Sequence, residues 1–290
     1  MNKYTIIVDA AIDIDAEFLI ENDVKVIPMA YDIGEEHYLS DKKESIEFLR
    51  SFYNKEKQGA TVRSTQINPQ CYYDFFEPYA KNKESVLYLS LSSGLSNTYS
   101  SSLLAASQLK EKYPDFNICC VDTLSATTGI AMLLIKAIEN KEKGMQLEEN
   151  AKWLEANRAK VFHTFMVSDL MFLKRGGRIP MGTAIIGTVL NIKPILSIND
   201  QGKLVNVSKK HGVKGAIAEC INLFKKSNDL EDGKIIFVGH TNAEETADLI
   251  EKELLAINPT FVVKKLFMGP IIGLHVGPGM CHILSFGKDK

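Results

Sequence analysis

SVLYLSLSSGLSNTYSSSLLAASQLKEKY, residues Ser85 to Tyr113, is the stretch on which the fold turns. SVLYLSLS is apolar and rich in strand formers, and it stops at a turn of serines and glycine. SSLLAASQLKEKY follows with a helical pattern, so the stretch predicts a strand, a tight polar turn and a helix. That unit is half of a β-α-β crossover.

The alternation continues on both sides. Upstream, YTIIVD and VKVIPMAYDI are strand-like, while SIEFLRSFYNKEK and YYDFFEPYAKN have the helical period. Downstream, FNICCVD is a strand candidate and GIAMLLIKAIENKEK a helix. Strands separated by helices of this length imply right-handed crossovers and a parallel sheet covered on both faces. The expected fold class is therefore α/β, with a doubly wound parallel-sheet domain over residues 1–165.

Beyond the helical EENAKWLEANRAK and the apolar VFHTFMV, the pattern changes. LMFLKRGGRIPMG is loop-like, KPILSIND and KLVNVSKK form a hairpin around Gln201-Gly202, and KGAIAECINLFKK is a helix. IIFVGH, a helix from about Asn242 to Leu255, FVVKKLF and CHILSF complete an expected α+β domain over residues 166–290. No internal repeat and no low-complexity linker interrupts the chain.

At 290 residues the chain is long for a single core, which agrees with two domains or one large one. Hydrophobic residues make up 45% and charged residues 24%, the balance of a soluble globular protein, and the net charge of -2 argues against a nucleic acid partner. The five cysteines include no C-x-x-C pair, and Cys119 and Cys120 fall inside an apolar run, so reduced packed thiols and a cytoplasmic location are expected. The N-terminus meets aspartates too soon for a signal peptide, and no apolar run is long enough for stable membrane insertion.

Charge is distributed unevenly. From Met171 to Lys214 the basic residues are Lys174, Arg175, Arg178, Lys193, Lys203, Lys209, Lys210 and Lys214, against Asp200 alone, a net charge of about +7. Such a segment is either a docking face for an acidic partner or a solvated basic surface.

Several polar turns are candidates for binding. In LSLSSGLSNTY, unpaired N–H groups at a helix start, with the hydroxyls of Ser93, Ser96 and Thr98, form an anion site beyond the carboxyl end of a strand; the same residues also serve as helix caps. VRSTQINP presents Ser64, Thr65 and Gln66 before a proline-initiated helix, and VDTLSATTG places Ser125 as a cap. Three such turns can converge at one sheet edge. GPIIGLHVGPG, residues 269 to 279, is a glycine-rich loop in which His275 either binds a carboxylate or satisfies the loop's own carbonyls.

Two chemistries lack their usual patterns. Gly94-Leu-Ser96-Asn does not complete the G-x-S-x-G elbow of serine hydrolases, and the six histidines have no metal-ligand spacing.

Taken in order, VRSTQ, SLSSGLSNTY, LKRGGRI and GPIIGLHVGPG resemble the DegV family of bacterial fatty-acid-binding proteins, across essentially the whole chain. The resemblance implies two α/β domains enclosing one long-chain fatty acid in an interdomain cleft, with no cofactor and no catalysis. It implies presentation of the carboxylate to a separate fatty acid kinase, which forms an acyl phosphate for phospholipid synthesis. By motif, Ser64, Thr65, Ser93, Ser96 and His275 hold the carboxylate. Arg178, with Lys174 and Arg175, faces the kinase.

The sequence departs from the family pattern at VDAA, where Ala10 stands in place of a serine, at Asn97 in place of a glycine, and in STQIN. Burial of roughly fifteen methylenes at about 0.8 kcal/mol each outweighs about 1.5–3 kcal/mol per charged hydrogen bond, so the tail supplies affinity and the head orientation. One alternative is a serine-dependent acyl or ester hydrolase, with Ser96 as nucleophile and His275 as base. Another is a lipid-responsive protein whose partner is not a kinase.

Overall fold

Residues 4–180 and 191–288 are described by the structure, a computed structural model. In chain order the first part contains β1 (Tyr4–Asp9), α1 (Ala16–Glu21), β2 (Lys25–Ile27), β3 (Met29–Ile33), β4 (Glu36–Ser40), α2 (Ile46–Lys57) and β5 (Val62–Ser64). It continues through α3 (Pro69–Lys81), β6 (Ser85–Ser90), α4 (Thr98–Lys112), β7 (Ile118–Asp122), α5 (Thr128–Glu142) and α6 (Leu147–Asn157). The second part contains β8 (Val161–Met166), α7 (Met171–Arg175), β9 (Ile192–Ile198), β10 (Leu204–His211), α8 (Gly212–Ser227) and β11 (Ile235–His240). It ends with α9 (Glu244–Ile257), β12 (Val262–Phe267), α10 (Pro270–Val276) and β13 (Cys281–Phe286).

The first sheet is parallel, in the order β2-β1-β6-β7. YTIIVD and SVLYLS are almost wholly buried because a central parallel strand is covered on both faces, which favours a continuous apolar run over alternation. α3 packs on α4 and α5 on α6, giving the doubly wound arrangement expected from the sequence.

The run VKVIPMAYDI does not form one strand. Pro28, which lacks an N–H, separates β2 in the parallel sheet from β3, which joins a separate antiparallel sheet in the order β4-β3-β5. VRS is thus a strand as well as the start of a turn, and the pairing of Ser64 with Tyr31 fixes where the Ser64 side chain emerges.

The second sheet is mixed, in the order β10-β9-β8-β13-β11-β12, with β11 and β12 parallel and the other neighbours antiparallel. Its first strand in the chain, β8, straddles residue 165. α5, buried along most of its length, packs on β6 of the first sheet and on β8 and β13 of the second. The two sheets therefore share one central helix.

Two segments read as loops contain helix. LMFLKRGGRIP begins with the short α7, and GPIIGLHV forms α10. Pro270 sits in the first turn of α10, where its missing N–H has no intrahelical partner to lose, and Gly277 ends the helix with φ of 71°. Part of the basic segment, residues 181–190, lies outside the described residues.

Candidate functional site

From β1 the chain moves to β2 on one side, whereas β6 leads to β7 on the other, so the carboxyl ends of β1 and β6 flank a topological switch point. The loops that leave these strands diverge there and open a crevice. Asp9 ends β1 with no exposure, and its carboxylate accepts hydrogen bonds from Ala11 N at 3.1 Å, Tyr88 OH at 2.9 Å and Leu91 N at 2.8 Å. Burial raises the Asp9 carboxyl above its ordinary value, against the lowering effect of these donors. The carboxylate thereby pins the turn after β6 to the end of β1.

A second aspartate joins the two sheets. Asp13 accepts from Lys42 Nζ at 2.7 Å, from Gly269 N at 2.8 Å and from Thr127 Oγ1 at 2.7 Å, and both members of the Asp13–Lys42 pair are buried. Tyr53 OH donates to the carbonyl of Met268 at 2.9 Å. The start of α10 is thus clamped from two directions, which sets the position of His275.

Between the sheets lies a cavity with about 930 Å³ of empty space, its open mouth included. Its walls are apolar, with Leu91, Leu95, Ala126, Phe165, Ile271 and Met280 among them. Residues from all three polar turns reach it: Ser64, Thr65 and Gln66 from the first, Ser96 from the second and Thr127 from the third.

The polar end is built around His275. Its Nε2 lies 2.9 Å from Ser64 Oγ, while Nδ1 is buried and has no hydrogen-bond partner among the described residues. In the Nε2–H tautomer the imidazole donates to Ser64 and leaves the hydroxyl proton free to turn to an anion; in the other tautomer the free donor is Nδ1–H. Burial, and then the charge of Arg178, lower the imidazole to about 3, so it is neutral at physiological pH. Gly176 must lack a side chain, since a Cβ there would stand 2.5 Å from His275 Nδ1.

Arg178 supplies the positive charge. Its Nε donates to Leu95 O at 3.2 Å and Nη1 to Gly176 O at 2.5 Å, and burial lowers its pKa from the ordinary arginine value. The guanidinium therefore faces the cavity instead of standing free on the surface. Ser64, His275 and Arg178 also border an open basin of about 980 Å³ that is further lined by Arg63 and Arg175. The apolar cavity and the arginine-lined basin share these three residues as a throat.

The remaining sequence candidates are placed differently. Ser93 is exposed and does not line the cavity; its N–H is held by Asp122 Oδ1 at 3.1 Å. Its neighbour Ser92 is the buried one, donating to Gly202 O at 2.8 Å and tying the turn to the β9–β10 hairpin. Gly94 lets that hairpin approach, for a Cβ would meet the backbone of Gln201 and Gly202 at 2.6 Å. Ser96 Oγ pairs with Thr98 Oγ1 at 2.7 Å and caps Thr98 N, while Asn97 makes no side-chain cap. Ser125 is not a helix cap but bonds His163 Nε2 at 3.0 Å. Arg175 lines the outer basin, and Lys174 lines neither space.

Sequence reading missed two wall-forming histidines. His163 and Phe165 on β8, with His282 and Leu284 on β13, all border the cavity, as the alternation of side chains along paired strands allows. His282 Nε2 lies 3.0 Å from Thr128 Oγ1, and burial lowers this imidazole to about 3. The every-second-residue spacing in VFHTF and CHILSF was the available signal. Among the described residues no grouping of three or more His, Cys, Asp or Glu is placed to hold a metal ion, and no helix is long and apolar enough to cross a membrane.

The fold and its site define an α/β protein of three sheets that encloses an apolar cavity behind a Ser-His-Arg throat. The chain matches the profile described as "Uncharacterised protein, DegV family" over residues 3–288, and it belongs to the DegV family. A DegV domain-containing protein of Clostridium perfringens is 34% identical over 290 residues, which cover 100% of this chain and 99% of the relative. A Thermus thermophilus DegV family protein whose structure was described for fatty acid binding superposes with a TM-score of 0.85 at 27% identity, covering 99% of this chain and 100% of the other. The Streptococcus pneumoniae fatty acid kinase (Fak) B3 protein loaded with linoleic acid superposes with a TM-score of 0.82 over 99% and 100% of the two chains. At 19% identity that likeness speaks for the fold.

Proposed function

We propose that this protein is a non-catalytic carrier of one long-chain fatty acid. The acyl tail lies in the apolar cavity and the carboxylate at the throat, where a separate fatty acid kinase converts it to the acyl phosphate for phospholipid synthesis. The observation that carries this reading is the continuity of an apolar cavity, the Ser64–His275–Arg178 throat and an arginine-lined basin open to a partner. The fatty acid binding described for the Thermus thermophilus relative, and the linoleic acid in the Streptococcus pneumoniae protein, agree with it. In this reading the protein works in the cytoplasm, beside the kinase, and holds the ligand between two domains divided near residue 165.

In this reading Ser64 and His275 orient the carboxylate and Arg178 neutralises it. Thr65 and Ser96 stand at the rim, and Arg175, with Arg63, presents a basic face to the kinase. The hydrolase alternative is disfavoured by geometry. His275 pairs with Ser64, Ser96 with Thr98, and an imidazole lowered to about 3 is a weak general base at neutral pH.

Native purification followed by lipid mass spectrometry tests the carrier reading, with one fatty acid per chain expected. Repeated recovery of ligand-free protein that takes up no added fatty acid overturns it. Acyl phosphate should form from the loaded protein and ATP only when the kinase is added; turnover by the protein alone would restore the enzyme reading.

A further inference from the structure

A buried acid outside the fatty acid cavity has no hydrogen-bond partner among the described residues. Glu56, in the last turn of α2, is 3% exposed, and neither carboxyl oxygen has a hydrogen-bond partner. Leaving such a group unpaired costs about 1–3 kcal/mol or more, so native proteins rarely keep one without a reason. Glu56 lines a cleft of about 1,000 Å³, mouth included, with Ser168, Asp169, Phe172, Arg175 and Asn242 among its walls.

We propose that this cleft binds an alkylguanidinium or alkylammonium group, with Glu56 as its carboxylate partner and Asp169 and Asn242 as further acceptors. The inference does not depend on the fatty acid reading.

Three observations select a cation. Glu56 and Asp169 bring two carboxyl groups to one cleft, and Asp169 uses Oδ1 to accept from Met171 N. The cleft also sits at the carboxyl end of α2, the negative end of the helix dipole. Finally, among the described residues no grouping of three or more His, Cys, Asp or Glu is placed to hold a metal ion, whereas two carboxyl groups and an amide match the several N–H donors of a guanidinium or ammonium.

The basic groups facing the cleft, Lys57 and Arg175, do not fill this role. Lys57 is exposed, and the Arg175 guanidinium lies 4.7 Å over the Phe172 ring. Burial raises Glu56 to about 8, with Arg175 opposing the rise, so at neutral pH the acid holds its proton in the empty cleft. Binding of a cation at pH 7 must then expel that proton.

Isothermal titration of the full chain at pH 7, in two buffers of different ionisation enthalpy, tests the proposal. One arm uses ethylguanidinium and the other acetyl-Gly-Arg-Gly-amide, which separates a free small cation from a partner's arginine side chain. Saturable binding of either probe with release of close to one proton per site supports the cleft. Glu56→Gln, neutral and nearly isosteric, should weaken it at least tenfold while fatty acid uptake is unchanged, and Asp169→Asn should weaken it severalfold. Saturation by neither probe, or equal binding by Glu56→Gln, overturns the proposal.

Discussion

His275 Nε2 lies 2.9 Å from Ser64 Oγ, joining a helix near the end of the chain to a strand 211 residues earlier. In the proposed reading that contact gathers the donors for the carboxylate at one end of an apolar cavity, and it separates the work of the head from that of the tail. Truncating either residue should lower fatty acid affinity ten- to a hundredfold, the equivalent of about 1.5–3 kcal/mol for a charged hydrogen bond. Binding of the corresponding methyl ester should barely change. Displacement of a fluorescent fatty acid from Ser64→Ala and His275→Ala measures both; loss of acid and ester binding together, with the fold intact, would refute the division.

How far this site could be read from sequence depended on where each signal resides. The strand, turn and helix of residues 85–113 are encoded locally, by an apolar run, a serine-rich break and a helical period, and they appear as expected. Pro270 and Gly277 were equally local signals for α10, yet the density of glycines made that segment read as a loop. The Asp13–Lys42 pair and the burial of Glu56 had no such local signature. Each depends on contacts or burial that only the folded chain creates. Arg178 was found as a charge, but the direction of its side chain is set by Leu95 O, 83 residues away.

Asp13 should be among the most sensitive positions for stability. It is buried, paired with buried Lys42, and it also holds Gly269 N and Thr127 Oγ1. Removing one member of a buried pair leaves the other charge uncompensated, at a cost of about 3–5 kcal/mol. Asp13→Ala should therefore lower the thermal midpoint strongly and weaken ligand binding through α10. Adding Lys42→Met should recover part of the loss, because no buried ammonium then remains; a double variant as unstable as the single would argue against the pair.

Two of the cavity histidines, His275 and His282, make stability depend on pH. Burial lowers both His275 and His282 to about 3, whereas an unfolded histidine titrates near 6.5. Between those values the unfolded chain binds more protons, so this contribution is complete above about pH 6.5 and is lost as pH falls towards 3. By pH 5 each histidine has lost about 2 kcal/mol of this contribution. Glu56 acts in the opposite sense: its folded value of about 8 favours the folded state as pH falls from 8 towards its unfolded value. The difference between variants is therefore the measurement of choice. His282→Gln should reduce the slope of unfolding free energy between pH 6 and 4 by about 1.4 kcal/mol per pH unit, and an unchanged slope would mean that His282 is charged in the fold.

Arg175 and Arg178, three residues apart, should separate partner docking from ligand binding. Arg178 is held at the throat by Leu95 O and Gly176 O, next to His275, so Arg178→Glu places a like charge beside the carboxylate and should weaken fatty acid binding at least tenfold. Arg175 is exposed in the outer basin and does not line the cavity, so Arg175→Glu should leave fatty acid affinity unchanged. If the basin receives the kinase, the same change should raise the carrier concentration needed for half-maximal acyl phosphate formation about tenfold, with a steep dependence on ionic strength. Equal loss of lipid binding in both variants would show that the basin and the throat act as one site. Unaltered coupling in Arg175→Glu would move the docking face elsewhere on the basic segment.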